Sequence, residues 1–268
     1  MPVKKMILTI AGSDTLAGGG LQSDLKTFEN YQLFGLTAIT CIAVVKDHQF
    51  EIKDLPAEVI SEQLDTIKET IKLDGIKIGL IHSLEGIELV REFLTHYKVP
   101  IVLDPVLAFK ETDQIYNQTY KDALVEKLFP LAEVVTPNLK EAEILSEMKI
   151  TTIAEMKQAA QKILLLGPKT VVIKGGERLS GTLASDLYYD GEQFELFSKP
   201  KLAKPTINGA GCTFASSIAA NLVQGKPLIE AIAKSKAFVY HAIENGVYLN
   251  TAEGNVWYGG IAGREEDV

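Results

Sequence analysis

The sequence predicts an α/β fold: a central, mostly parallel sheet with helices on both faces, in a single domain over residues 1–268. Three observations carry this. Short apolar, β-branched runs alternate with amphipathic stretches of about 10 to 16 residues, the signature of right-handed strand–helix–strand crossovers. Glycine-rich or polar residues follow the apolar runs directly, as at strand ends that open into ligand sites. No internal repeat, low-complexity segment or charged linker divides the chain.

The elements follow in order. Met6 to Ala11 is a short apolar run closed by Gly12-Ser13-Asp14, and Leu21 to Leu33 repeats its apolar residues at helical spacing. Leu36 to Val45 reads as a β-branched strand, Ala57 to Lys72 as a helix, Gly75 to Leu80 as a strand and Leu84 to Tyr97 as a helix. Val99 to Leu103 and Glu133 to Thr136 are strands on either side of a helix over Tyr116 to Phe129. Helices over Leu139 to Met148 and Ile153 to Leu166 lead to a strand at Thr170 to Lys174. Between 182 and 198, Asp190-Gly191 separates two alternating runs, which predicts an antiparallel hairpin at one edge of the sheet. A glycine loop at 209–211 then opens a helix from about Cys212 to Val223, with another from Pro227 to about Asn245. The tail Arg264 to Val268 is expected to fray.

Composition narrows the function. The net charge of -8 removes the long-range attraction on which nonspecific nucleic-acid or anionic-membrane binding depends, so a bound phosphate needs a local site. Two cysteines, Cys41 and Cys212, match no metal spacing and suit a reducing, cytoplasmic setting. No run of about 18 apolar residues occurs, and the apolar N-terminal run is too short for a secretory signal. His48, His82, His96 and His241 are scattered without ligand spacing and are assigned surface or core roles.

Five segments at strand ends could carry chemistry. Asp14 and the glycines Gly18 to Gly20 offer an acceptor and close backbone approach, as would a flexible turn with a helix cap. Asp104, stopped by Pro105, can hold Mg²⁺, a hard cation that prefers carboxylate and phosphate oxygen; a plain turn has the same sequence. Asn138 and Glu141 share a first helical turn, where a capping box competes with a ligand role. Lys174 and Gly175 supply one cation and turn backbone. Gly209, Ala210, Gly211, Cys212 and Thr213 enter a helix through small residues, so that successive N–H groups and the helix dipole meet a transferred phosphoryl group. A helix start also favours the thiolate of a cysteine placed there, whereas Cys41, in an apolar strand, reads as a small hydrophobe.

In order and spacing these pieces resemble the ribokinase-like superfamily, and within it the pyridoxal kinase and hydroxymethylpyrimidine (phosphate) kinase branch. The matching motifs are AGSD at 11–14, LQSDLKTF at 21–28, KIGL at 77–80, LDPV at 103–106, TPNLKEAE at 136–143, KGG at 174–176 and GAGCTF at 209–214. The resemblance implies ATP and Mg²⁺ as cosubstrates, with a monovalent cation as an open addition, a small-molecule acceptor and commonly a homodimer. It implies that Asn138, Glu141, Lys174, Gly175 and Thr213 serve the nucleotide, and Asp104 with Glu141 the metal. It places the ring of the acceptor near Asp14, Gly20, Val45 and Val106, with Gly209 to Cys212 as the anion hole. Residues 107–118, which contain Lys110 and show no clear periodicity, are expected to form a mobile cover that excludes water. Most superfamily members carry an aspartate base where this chain has Cys212; a thiolate can accept the hydroxyl proton or add to an aldehyde.

Three departures from the family pattern stand out, two of which bear on the substrate. Pyrimidine kinases of the branch usually carry glutamine where this chain has Val45, and loss of that amide favours a B6 vitamer over an aminopyrimidine. Some pyridoxal kinases carry a second cysteine where Phe109 adjoins Lys110, and Asn208 stands where histidine commonly precedes the glycine loop. The expected activity is ATP-dependent phosphorylation of the hydroxymethyl group of pyridoxal, pyridoxine or pyridoxamine. Its alternatives are hydroxymethylpyrimidine (phosphate) phosphorylation, both activities together, or a non-catalytic nucleotide-binding protein.

Overall fold

The computed structural model describes residues 4–47, 49–107, 118–250, 253–257 and 259, and it realises the alternation read from the sequence. The chain runs β1 (Met6–Asp14), α1 (Gly20–Asn30), β2 (Phe34–Lys46), β3 (Gln49–Asp54), α2 (Ala57–Thr70), β4 (Gly75–Ile78) and α3 (Leu84–Leu94). Next come β5 (Ile101–Leu103), α4 (Gln118–Leu128), β6 (Val134–Val135), α5 (Leu139–Ser146), α6 (Ile153–Leu164) and β7 (Val171–Lys174). The strands β8 (Leu183–Tyr189) and β9 (Phe194–Pro200) precede α7 (Ala210–Val223), α8 (Leu228–Glu244), β10 (Val247–Tyr248) and β11 (Gly254–Asn255). Two compact units result, Met1–Pro100 with Leu202–Val268, and Ile101–Lys201.

In the first unit the strand order is β3-β2-β1-β4. β1 pairs in parallel with both β2 and β4, and Ile7, Leu8, Ile10 and Ala11 are completely buried, as a strand covered on both faces requires. α1 packs on β1 and α7, and it ends where Gln32 takes a left-handed conformation at φ 58°. Thr213 to Asn221 of α7 are buried without a break, so small residues fill this helix and its polar Ser216 and Ser217 bond inward where it is covered all round.

In the second unit the order is β5-β6-β7-β8-β9. The first three strands are parallel and the last three antiparallel. The hairpin expected at 182–198 is the β8–β9 pair; Asp190 Oδ1 accepts hydrogen bonds from the N–H groups of Glu192 and Gln193, both at 2.9 Å, while Gly191 turns at φ 100°. Thr152 and Glu155 form a capping box that starts α6.

Two features add to the elements expected from the sequence. β3 is a second antiparallel edge, paired with β2, in a segment given no element although Phe50 and Ile52 alternate with Gln49, Glu51 and Lys53. β10 and β11 are two residues each, too short for any periodic signal. The expected cover with Phe109 and Lys110, His48, and the tail from Arg264 lie outside the described residues. Among the described residues no helix is long and apolar enough to cross a membrane.

Candidate active site

In the Ile101–Lys201 unit the ends of β5, β6 and β7 bring Asp104, Asn138, Glu141 and Lys174 together. Asp104 is buried, and its Oδ1 accepts hydrogen bonds from Lys174 Nζ at 2.6 Å and Thr136 Oγ1 at 3.1 Å. An isolated bridge between Asn138 and Lys174, with Lys174 N donating to Pro137 O at 2.8 Å, holds the end of β7 beside the start of α5. The capping box is real: Asn138 Oδ1 accepts from Glu141 N at 3.0 Å, and Glu141 Oε2 accepts from Asn138 N at 2.7 Å. Glu141 Oε1 also accepts from Leu107 N at 3.4 Å. Two carboxylate oxygens offer about four acceptor sites, so these bonds orient Glu141 without exhausting it. Burial pushes the Glu141 carboxyl up to about 7; Lys174 opposes this shift and the Asp104 charge adds to it.

Gly175 turns inward. Its N–H donates to Ser185 O and to Asp186 Oδ1, both at 3.1 Å, and the exposed backbone of this turn belongs to Gly176. Val106 is half-buried next to Asp104, with its N–H on Asp104 O at 2.9 Å.

In the other unit, β1 ends on Asp14, whose Oδ1 accepts from Leu16 N at 2.9 Å and whose N–H donates to Gln22 Oε1 at 2.9 Å. Gly20 opens α1 at φ +59°, and a Cβ there would lie 2.3 Å from Gly12 O. Gly20→Ala therefore meets both a disfavoured backbone conformation and a clash. We expect it to cost about 1–3 kcal/mol or more of stability in denaturant titration, with loss of the loop geometry. Gly209 is the N-cap of α7 at φ 84°, and no side chain caps that helix. Thr213 N donates to Gly209 O at 2.8 Å and its side chain is fully buried, while Cys212 is half-buried in the same turn. A Cβ on Gly19 would stand 3.8 Å from Cys212 Sγ, so the loops at 18–20 and 209–211 meet at the thiol. Val45 lies further out: the β1–β2 pairing ends at Asp14 and Ala43, and Val45 is 56% exposed opposite Phe50 of β3.

Cys41 is fully buried, and burial pushes its thiol up to about 11, in keeping with an inert core residue. His82 lies 2.6 Å from Asp54 at its Nδ1, a half-exposed surface pair. Among the described residues no three His, Cys, Asp or Glu side chains converge as metal ligands. A Mg²⁺ carried by one or two carboxylates plus phosphate and water would need no such cluster.

Two groups escaped the sequence reading. Asp24 and Lys77 form an ion pair at 2.8 Å with both side chains fully buried, joined by Thr9 and Ser216. Both residues lie in motifs visible in the sequence, but their inward direction is decided by packing. Asn255 links two loops, its Nδ2 donating to Leu16 O at 2.8 Å and its backbone bridging to Asn208. No periodic pattern precedes it.

Comparison with known proteins gives a consistent result. The sequence profile described as phosphomethylpyrimidine kinase matches residues 14–257. The pyridoxine kinase of Bacillus subtilis is 38% identical over 248 residues, 91% of this chain and 92% of that protein. The hydroxymethylpyrimidine/phosphomethylpyrimidine kinase of Aquifex aeolicus is also 38% identical, over 244 residues, 90% of this chain and 95% of that protein. The structure of the pyridoxal kinase from Staphylococcus aureus in complex with AMP-PCP and pyridoxal superposes with a TM-score of 0.90 at 38% identity, covering 96% of this chain and 94% of that one.

Proposed function

The chain belongs to the phosphomethylpyrimidine kinase family, and from that premise we propose that it transfers the γ-phosphoryl group of ATP to the hydroxymethyl group of a B6 vitamer. That it is a kinase phosphotransferase follows from its relatives, among them pyridoxine and hydroxymethylpyrimidine kinases. The observation that carries the reading is Cys212 at the uncapped start of α7, against the Gly18–Gly20 loop. The small residues of this helix start and the helix dipole suit the charge on a phosphoryl group in transfer. The half-buried thiolate would take the proton of the attacking hydroxyl as the new O–P bond forms and the bond to the β-phosphate oxygen breaks.

Lys174, Asn138 and the α5 start would engage the triphosphate. The buried carboxylates Asp104 and Glu141 fit Mg²⁺, which would neutralise phosphate charge. The structure of the Staphylococcus aureus enzyme with an ATP analogue and pyridoxal supports ATP as donor and a small pyridine as acceptor. A cytoplasmic homodimer and one kinase domain over 1–268 belong to the same reading.

Val45 favours the vitamer, because a valine offers no hydrogen bond to the amino and ring nitrogens of an aminopyrimidine. Hydroxymethylpyrimidine remains the second reading, since the identity to the Aquifex aeolicus kinase equals that to the Bacillus subtilis one. The test is ATP consumption with Mg²⁺ on pyridoxal, pyridoxine and hydroxymethylpyrimidine in parallel, compared by kcat/KM. The vitamers are expected to lead. Val45→Gln should then shift the preference toward hydroxymethylpyrimidine by roughly tenfold, about one hydrogen bond's worth. A wild-type preference for hydroxymethylpyrimidine would reverse the assignment, and no turnover of any would leave a nucleotide-binding protein.

A further inference from the structure

The kinase reading gives no task to the most deeply buried charges among the described residues. Asp24 and Lys77 are both completely shielded from solvent. One carboxylate gathers three donors from three other elements: Thr9 Oγ1 on β1 at 2.6 Å, Lys77 Nζ on β4 at 2.8 Å, and Ser216 Oγ on α7 at 2.6 Å. The ammonium is closely enclosed, since a Cβ on Gly79 would stand 2.8 Å from Lys77 Nζ and 3.1 Å from Ala11 Cβ. Taking two charges out of water is expensive, and an apolar pair of the same volume often stabilises a core as well or better. Such a pair is a poor means of adding stability. It is a good means of holding four elements in one arrangement, because any slip leaves a buried charge unsatisfied.

What it holds is specific. Asp24 lies one turn below Gly20, the first residue of α1, and Ser216 lies one turn below Cys212, on the same face of α7. The two loops that these helices open meet at Cys212, whose Sγ would stand 3.8 Å, an ordinary contact distance, from a Cβ on Gly19. We infer that Asp24 is a positioning residue for Cys212: through Ser216 it sets how closely the start of α7 approaches the Gly18–Gly20 loop. This rests on the kinase reading for its consequence in turnover, but not for its structural content.

The experiment uses the full chain in three variants. Ser216→Ala removes one donor and leaves the ion pair. Asp24→Asn with Lys77→Met removes both charges together and keeps a polar partner for the hydroxyls. Ile60→Val, in the core of the same unit on α2, is the control for a simple loss of stability. Each is read by thermal melting, by kcat and KM for both substrates, and by the rate at which iodoacetamide alkylates Cys212, located by mass spectrometry.

Ser216→Ala and the double variant are expected to lower kcat by about tenfold or more, with KM for ATP within about threefold. Both should change the Cys212 alkylation rate by at least about threefold, while Ile60→Val leaves kcat and alkylation within about twofold. The inference is overturned if the folded Ser216→Ala and double variants keep both values within about twofold of wild type, or if Ile60→Val moves them as much. Full turnover by Cys212→Ala would remove the thiol from the proposed chemistry, yet an altered alkylation rate in Ser216→Ala would still stand for the positioning.

Discussion

Cys212→Ala is expected to lower kcat by roughly 10²–10⁴, the usual worth of a positioned general base, with KM for ATP little changed. The reason is local. Cys212 lies in the first turn of a helix that no side chain caps, in reach of the Gly18–Gly20 loop, while the residues proposed for the triphosphate and metal are Asp104, Asn138, Glu141 and Lys174. Removing the thiol takes away a proton acceptor and leaves the nucleotide set intact. Steady-state kinetics with pyridoxal and with pyridoxine separate the two uses of the thiol. A general base serves both acceptors, so both should suffer alike, and Cys212→Asp should restore a large part of the activity. Addition to an aldehyde serves pyridoxal alone, and aspartate would not restore it. Undiminished turnover in Cys212→Ala would remove the cysteine from the mechanism.

Glu141→Gln is expected to lower kcat by about 10²–10³, the range found when one preorganised electrostatic partner of a transition state is lost. The fold should survive this change, because Asn138 still caps α5 with its own side chain and glutamine keeps one acceptor oxygen, enough for the Asn138 N–H. The wild type should also show a pH dependence that the variant lacks. Burial raises the Glu141 carboxyl from its ordinary value of 4.5 to about 7, so the folded protein holds this proton where the unfolded chain has released it. Stability of the ligand-free protein from this group is therefore greatest below about 4.5 and falls as pH rises through about 7. A divalent cation needs the ionised form. Mg²⁺-dependent nucleotide binding should strengthen as pH rises through about 7, with proton release measurable by calorimetry in buffers of different ionisation enthalpy. A pH-independent wild type, or a variant with the same dependence, would take Glu141 out of the metal site.

Much of the site was legible because its backbone chemistry is local. Gly20 and Gly209 take left-handed conformations that the glycine runs foreshadowed, and Asn138 with Glu141 three residues later is a capping box in sequence and in structure. Asp104 before proline at the end of an apolar run announced a strand-end acid. Gly175 was less legible: the sequence suggested turn backbone open to a ligand, but β8 supplies Ser185 O and Asp186 to its N–H. Which face of a turn stays open depends on the strand that pairs beside it.

By itself, the sequence determined the α/β alternation, the hairpin around Asp190-Gly191, the strand-end acids and the glycine entry to Cys212. These depend on periodicity and on φ preferences that act within a few residues. Tertiary structure alone decided that Asp24 and Lys77 face each other in the core and that Cys212 meets Gly19. Asp24 and Lys77 are 53 positions apart, and Ser216 is 192 from Asp24. Side chains so distant in the chain have no periodic signature, and their pairing appears only when packing leaves one place in which these two charges and the hydroxyls of Thr9 and Ser216 find their partners.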